Sequence, residues 1–230
     1  MDKRIILSLF AFIVVVGTTL LLLPTTHEND PETLPWRISH PTPETSRVFG
    51  LTLGASTLED VENFLHDTPE VSLFKTADGT MGVEAYFDEI NLNGLKAKFA
   101  LTLDVPQTDL EGLFARGARL NATPTGKRVT LAKEDLAQVR AYRIKAISYL
   151  PAVRIEEAIL EKRFGIAAEK IREKESGVVH WLYPDKGLDI ALQEKQKPVL
   201  QYVAPPDFAA LRTPLLAHGE VLPSNTPVKQ

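Results

Sequence analysis

Residues 177–205, GVVHWLYPDKGLDIALQEKQKPVLQYVAP, carry the pattern on which the fold reading turns. Val178, His180 and Leu182 alternate with Val179, Trp181 and Tyr183, and in a strand the two sets point to opposite faces. Pro184-Asp185-Lys186-Gly187 then has turn chemistry, Pro fixing φ and Gly permitting positive φ. Leu188, Ile190 and Leu192 alternate with Asp189, Ala191 and Gln193, as in a sheet with one buried face. A polar turn, Glu194-Lys195-Gln196-Lys197, leads into a closing strand over 198–203. The stretch predicts a three-stranded antiparallel ribbon, and residues 82–106 read as a diverged copy of it.

Working outward, Leu95, Ala97, Phe99, Leu101 and Leu103 form one face of the clearest strand, with Lys96, Lys98, Thr102 and Asp104 on the other. Leu58, Val61, Phe64 and Leu65 recur at helical spacing behind a Ser56-x-x-Glu59 capping box, and Thr108-x-x-Glu111 offers a second box. Residues 154–164 form the second amphipathic helix, with Ile155, Ile159, Leu160 and Phe164 inward and Gly165 as its stop. A helix, three strands and a helical turn then recur at a nearly constant offset. The fold class expected is α+β, two tandem helix-plus-three-stranded antiparallel meander repeats over 48–126 and 127–212. One N-terminal transmembrane helix precedes them, and a disordered tail, 213–230, follows.

That transmembrane expectation rests on residues 5–23, an uncharged apolar run. At roughly 1.5 Å per residue it spans nearly 30 Å, a hydrocarbon core. A signal peptide would carry a small-x-small cleavage site, and Leu20-Leu21-Leu22-Leu23-Pro24 does not supply one. Lys3 and Arg4 hold residues 1–4 in the cytoplasm, so the body is expected outside the inner membrane, in the periplasm of a Gram-negative cell. Residues 24–47, with five prolines, read as an extended tether, and Trp36 within it would meet the membrane interface or dock on the domain. A net charge of −4 and a pI near 5.8 argue against nucleic acid as a partner. With no cysteine, thiolate metal sites, disulfides and cysteine nucleophiles are excluded.

Gly50-Leu51-Thr52, followed by Ser56–Val61 opening a helix before a meander, resembles the periplasmic BamE-type domain of small outer-membrane lipoproteins. Arg163-Phe164-Gly165-Ile166-Ala167 is similar to the segment that ends the helix in that pattern. A tandem pair would resemble the β-lactamase-inhibitor-protein architecture. The resemblance implies a binding module of the cell envelope, although no lipidation cysteine is present.

No H-E-x-x-H, G-x-S-x-G, S-x-x-K or P-loop occurs, and three of the five histidines (27, 40 and 218) fall in the tether or tail. No cofactor and no metal is expected. Asp88 and Glu89 are adjacent and are read as facing opposite ways; Glu156 and Glu157 are read as a solvated face. The candidate binding residues are aromatic: Tyr86, beside Glu84, Asp88, Lys96 and Lys98 on the open side of the sheet, and by analogy Trp181, Tyr183 and Tyr202. Exposed aromatics on a rigid sheet are typical recognition anchors; the competing reading makes them core. The function expected is therefore a non-enzymatic, membrane-anchored protein-binding module, an envelope assembly or inhibitor-like factor. It would engage another envelope or membrane protein and the lipid bilayer through residues 5–23. The alternatives are a periplasmic cell-wall-directed hydrolase or glycan-binding protein using Trp181, and a structural spacer.

Overall fold

The computed structural model of the chain describes residues 31–124 and 126–223. Residues 5–23, the expected membrane span, and the last seven residues of the tail lie outside them. Among the described residues no helix is long and apolar enough to cross a membrane.

The elements follow in chain order. β1 (Arg47–Val48) and β2 (Leu51–Thr52) form a small hairpin, α1 is Leu58–Leu65, and β3 (Glu70–Thr76), β4 (Met81–Leu92) and β5 (Leu95–Leu103) form a meander. Next come α2 (Gln107–Arg116), β6 (Arg119–Thr123), β7 (Gly126–Thr130), α3 (Lys133–Arg140) and β8 (Ile144–Pro151). The chain continues through α4 (Glu157–Phe164), β9 (Glu169–Glu173), β10 (Val179–Tyr183), β11 (Leu188–Leu192), β12 (Val199–Val203), α5 (Phe208–His218) and β13 (Gly219–Leu222).

Eleven of these strands make one antiparallel sheet in the order β6-β7-β3-β4-β5-β8-β12-β11-β10-β9-β13. The expected pair of separate repeats is overturned by β8, which hydrogen-bonds to β5 on one side and β12 on the other. Leu101 and Tyr202 both lie opposite Ile147. The halves are not copies either. Leu110 and Leu113 of α2 join the main core, whereas Phe208 and Leu215 of α5 pack with Ala146, Ile171, Leu182 and Val203 on the opposite face. The boundary expected after residue 126 falls inside β7, which pairs with β3 and belongs to the N-terminal half.

The main core lies on one face of the sheet. At its centre Phe49 meets Phe99, Tyr149 and Tyr202 at ring-centroid distances of 5.0, 5.2 and 5.4 Å. Phe49 and Gly50 are the two loop residues between β1 and β2, and both have positive φ, 56° and 77°. A two-residue hairpin loop of this hand suits the twist of its strands, and burial of the Phe49 ring offsets its backbone strain.

The expected tether is in part a packed strap. Residues 33 and 35 are buried, and Trp36 and Ile38 pack against the core. Tyr202 donates to the Pro35 carbonyl at 3.0 Å and Ser46 to the Val203 carbonyl at 3.0 Å, tying the strap to β12. The expected tail is likewise structured to residue 222. α5 continues past Arg212 through Pro214, and β13 pairs with β9. The capping box of α1 is Thr57–Asp60, one residue beyond the expected pair, and α2 has no side-chain cap.

Candidate functional site

One half of the sheet has an uncovered face. α5 covers this side over β9, β10, β12 and β8, held partly by a two-bond Arg212–Glu169 pair at 2.7 and 3.1 Å. Over β7, β3, β4 and β5 the same side turns out Phe74, Glu84, Tyr86, Lys98 and Arg128, none of them buried. The alternation that buries Val83, Ala85 and Phe87 turns Glu84 and Tyr86 outward.

A cross-strand cluster orders the centre of this face. Lys98 donates to Asp88 at 2.6 Å and lies over the Tyr86 ring at 5.7 Å, while the Tyr86 hydroxyl donates to the same Asp88 oxygen at 3.0 Å. The hydrogen bond from Lys98, then that from Tyr86, hold the Asp88 carboxyl below its ordinary pKa. Lys96 pairs with Glu89 at 3.0 Å. A β-bulge between Phe87 and Ile90 breaks the alternation, so Asp88 and Glu89 both reach lysines of one row instead of facing opposite ways.

Beside this cluster is a shallow cup of about 220 Å³ lined by Ser72, Phe74, Glu84, Tyr86, Ala100 and Arg128, with Glu70 at its edge. Arg128 pairs with Glu70, donates to Ser72 at 2.9 Å and lies 5.9 Å from the Phe74 ring centre. Its charge is thus already directed toward Glu70. Glu84 has no hydrogen-bond or ion-pair partner among the described residues, and burial raises its pKa above the ordinary carboxylate value. Glu84 itself is nonetheless exposed, and with the neighbouring Arg128 engaged by Glu70 its carboxylate is open to an incoming cation.

The other three aromatic candidates are elsewhere. Trp181, Tyr183 and Tyr202 are 0%, 4% and 1% exposed and belong to the main core, so they share no surface with half-exposed Tyr86. Trp181 lies opposite Ile190 in the hairpin register, and Ile190 is on the face read as buried. That pairing was the available signal for its placement. The expected analogy between Tyr86 and Tyr183 fails: Tyr86 is on the open side and Tyr183 on the core side.

Residues missed by the sequence reading include Arg128, and a network under the C-terminal half. His180 Nδ1 is 2.7 Å from Asp189 Oδ2, and its Nε2 is 3.4 Å from Glu173 Oε1. The carboxylates address opposite ring nitrogens and do not converge on a common point. No group of three or more side chains able to hold a metal occurs among the described residues. Comparisons with known families, with curated proteins and with solved structures find no match.

Proposed function

We propose that the folded body is a protein-recognition module of the cell envelope, and that the open face of β7, β3, β4 and β5 receives its partner. The observation that carries this reading is Glu84, an unpartnered carboxylate with raised pKa in a cup formed with Phe74 and Tyr86. The cup fits a basic side chain of the partner, its methylenes against the rings and its charge on Glu84. Around it, Asp88, Glu89, Lys96 and Lys98 form a rim of satisfied charges that sets register more than affinity. The shallow face and the burial of Trp181 support recognition over a cell-wall-directed hydrolase or glycan-binding protein, for which an accessible Trp181 among carboxylates was the expected mark.

The test is capture of partners from detergent-solubilised cells with the full chain, comparing wild type with Tyr86→Ala and Glu84→Lys. Both side chains are outside the core, so melting curves should coincide. A partner retained by wild type and lost by both variants supports the reading. Equal capture by all three chains refutes it.

A further inference from the structure

A second concavity, which has Lys96 in common with the charged rim of the open face, opens on the core side of the molecule. It occupies about 500 Å³ between the strap, the β4–β5 turn, the end of β8 and α4. Pockets of about 300–1,000 Å³ are the size that takes small-molecule ligands. Trp36, Leu95 and Ile159 form its sides, and Leu160, Phe164 and Leu200 contribute to its apolar lining. Ile159, expected inward on the helical pattern, is 47% exposed, and Val153 beside the cleft is 63% exposed. Two large apolar side chains are therefore left in water at one opening, where a ligand would cover them.

Its charge is one-sided. Lys96, Arg154 and Arg163 line the cleft and no carboxylate does. Lys96 is engaged by Glu89, but neither Arg154 nor Arg163 has a carboxylate partner among the described residues. The Arg163 guanidinium is stacked 4.3 Å from the Trp36 ring centre, which fixes one cation beside the apolar wall. A third feature lies within the cleft. Tyr149 is 2% exposed, lines the cleft, and makes no hydrogen bond to a described residue. Its ring is buried but its hydroxyl is not sealed off, so this phenol can donate to water or to a ligand acceptor in the cleft.

We propose that this cleft binds a long-chain carboxylate, its hydrocarbon chain along the apolar walls and its carboxylate held by Arg154 and Arg163. The site demands an apolar body with an anionic end. A neutral hydrocarbon would leave the arginines unanswered, and a small hydrophilic anion would leave the walls wet. An acidic, apolar segment of another protein meets the charge condition, but a narrow concavity with its cations on one side is better matched by one hydrocarbon chain than by a helix face.

The experiment uses the full chain in a non-ionic detergent and a palmitate analogue carrying a photoreactive diazirine on its chain. Saturable labelling is expected on peptides containing Trp36, Leu95 or residues 153–164. The Arg154→Gln/Arg163→Gln double variant should bind about tenfold more weakly or worse, the scale of one lost charge-assisted hydrogen bond. Ile159→Asp, which places a like charge at the exposed edge, should also weaken binding. The methyl ester of the probe should bind equally to wild type and double variant. Melting curves of these surface variants should match wild type. The proposal is overturned if labelling is unsaturable or falls outside the cleft, or if acid and ester bind alike. It is also overturned if the probe binds only after residues 5–23 are removed, which would make the chain's own segment the occupant. Tyr86→Ala and Glu84→Lys should leave probe binding unchanged, so the outcome is independent of the open face.

Discussion

The Lys170 ammonium lies 4.0 Å from the centre of the Trp181 ring, a cation over an aromatic face between neighbouring strands, with both residues buried. Glu161 of α4 approaches the same ammonium at 4.0 Å. The ring thus packs the core and stabilises a buried charge. Trp181→Ala should cost about 3–5 kcal/mol through the cavity alone, with more from leaving Lys170 over an empty space. Lys170→Met should be milder, because it removes the charge together with its desolvation cost. Urea melts of the two variants check this order; equal losses would mean that the Trp181 ring contributes little packing.

Phe99 and Lys98 are adjacent on β5 and face opposite sides. Phe99 is fully buried against Phe49 and Tyr149, at ring-centroid distances of 5.0 and 5.9 Å. Phe99→Ala should cost about 3–5 kcal/mol. Lys98→Ala loses the Asp88 pair on a solvated face and should leave the urea midpoint nearly unchanged. Similar midpoints for the two variants would contradict the facing of this strand.

A third test concerns the strap. The Tyr202 hydroxyl donates to the Pro35 carbonyl inside the core, bridging residues far apart in sequence. Tyr202→Phe keeps the ring and its edge contact with Phe49 but leaves that acceptor unanswered. A loss of about 1–3 kcal/mol is expected. Protease cleavage should rise within residues 31–47, reflecting local release of the strap. Wild-type resistance there would show that the hydrogen bond does not secure it.

What the sequence disclosed follows from which faces are buried. β5 buries one side, so its alternation from Leu95 was legible. β11 was legible from Leu188 because the residues on its other side, Asp189 and Ala191, are polar or small, although Asp189 is buried as well. β10 was misfaced because it is buried on both sides: with His180 and Leu182 covered as well as Trp181, alternation could not say which side was open. β9 was missed because Glu169-Lys170-Ile171-Arg172-Glu173 has one apolar residue, and the buried Lys170 is held by tertiary partners, the Trp181 ring among them. β6 and β13 are edge strands with too little buried surface to leave a pattern. Pro214 signalled an end that α5 passes through, with Thr213 donating to the Ala209 carbonyl at 2.8 Å. At the open face, Tyr86, Glu84 and Lys98 could be placed by period alone, whereas the bulge at Asp88-Glu89 and the arrival of Arg128 from β7 depend on tertiary pairing. The cleft joins residues from the strap, β5, β8, α4 and β12, so no local pattern could assemble it.

The last prediction concerns His180. Burial disfavours its charged form, but the hydrogen bond and charge of Asp189, with Glu173 on the other side, outweigh that and raise its pKa above 6.5. Burial likewise raises Asp189 above its ordinary value, opposed by His180. A histidine whose folded pKa is raised stabilises the protein fully below its unfolded pKa, and that contribution is lost as pH rises through the folded pKa. Asp189's raised pKa has the same sign in the acid range: its contribution is present below the unfolded value and lost as pH rises through the folded one. Of the two groups, the histidine is the one whose ordinary value lies nearest neutrality. Wild-type urea midpoints, measured from about pH 6 to about pH 9, should therefore carry a declining component from His180. The double variant His180→Gln/Asp189→Asn replaces the ionic pair by a neutral one of similar size and should lose that component. Single substitution of His180 would leave Asp189 buried without its partner and confound the slope with a general loss. Parallel pH profiles for wild type and the double variant would rule out the His180–Asp189 pair as a source of pH dependence.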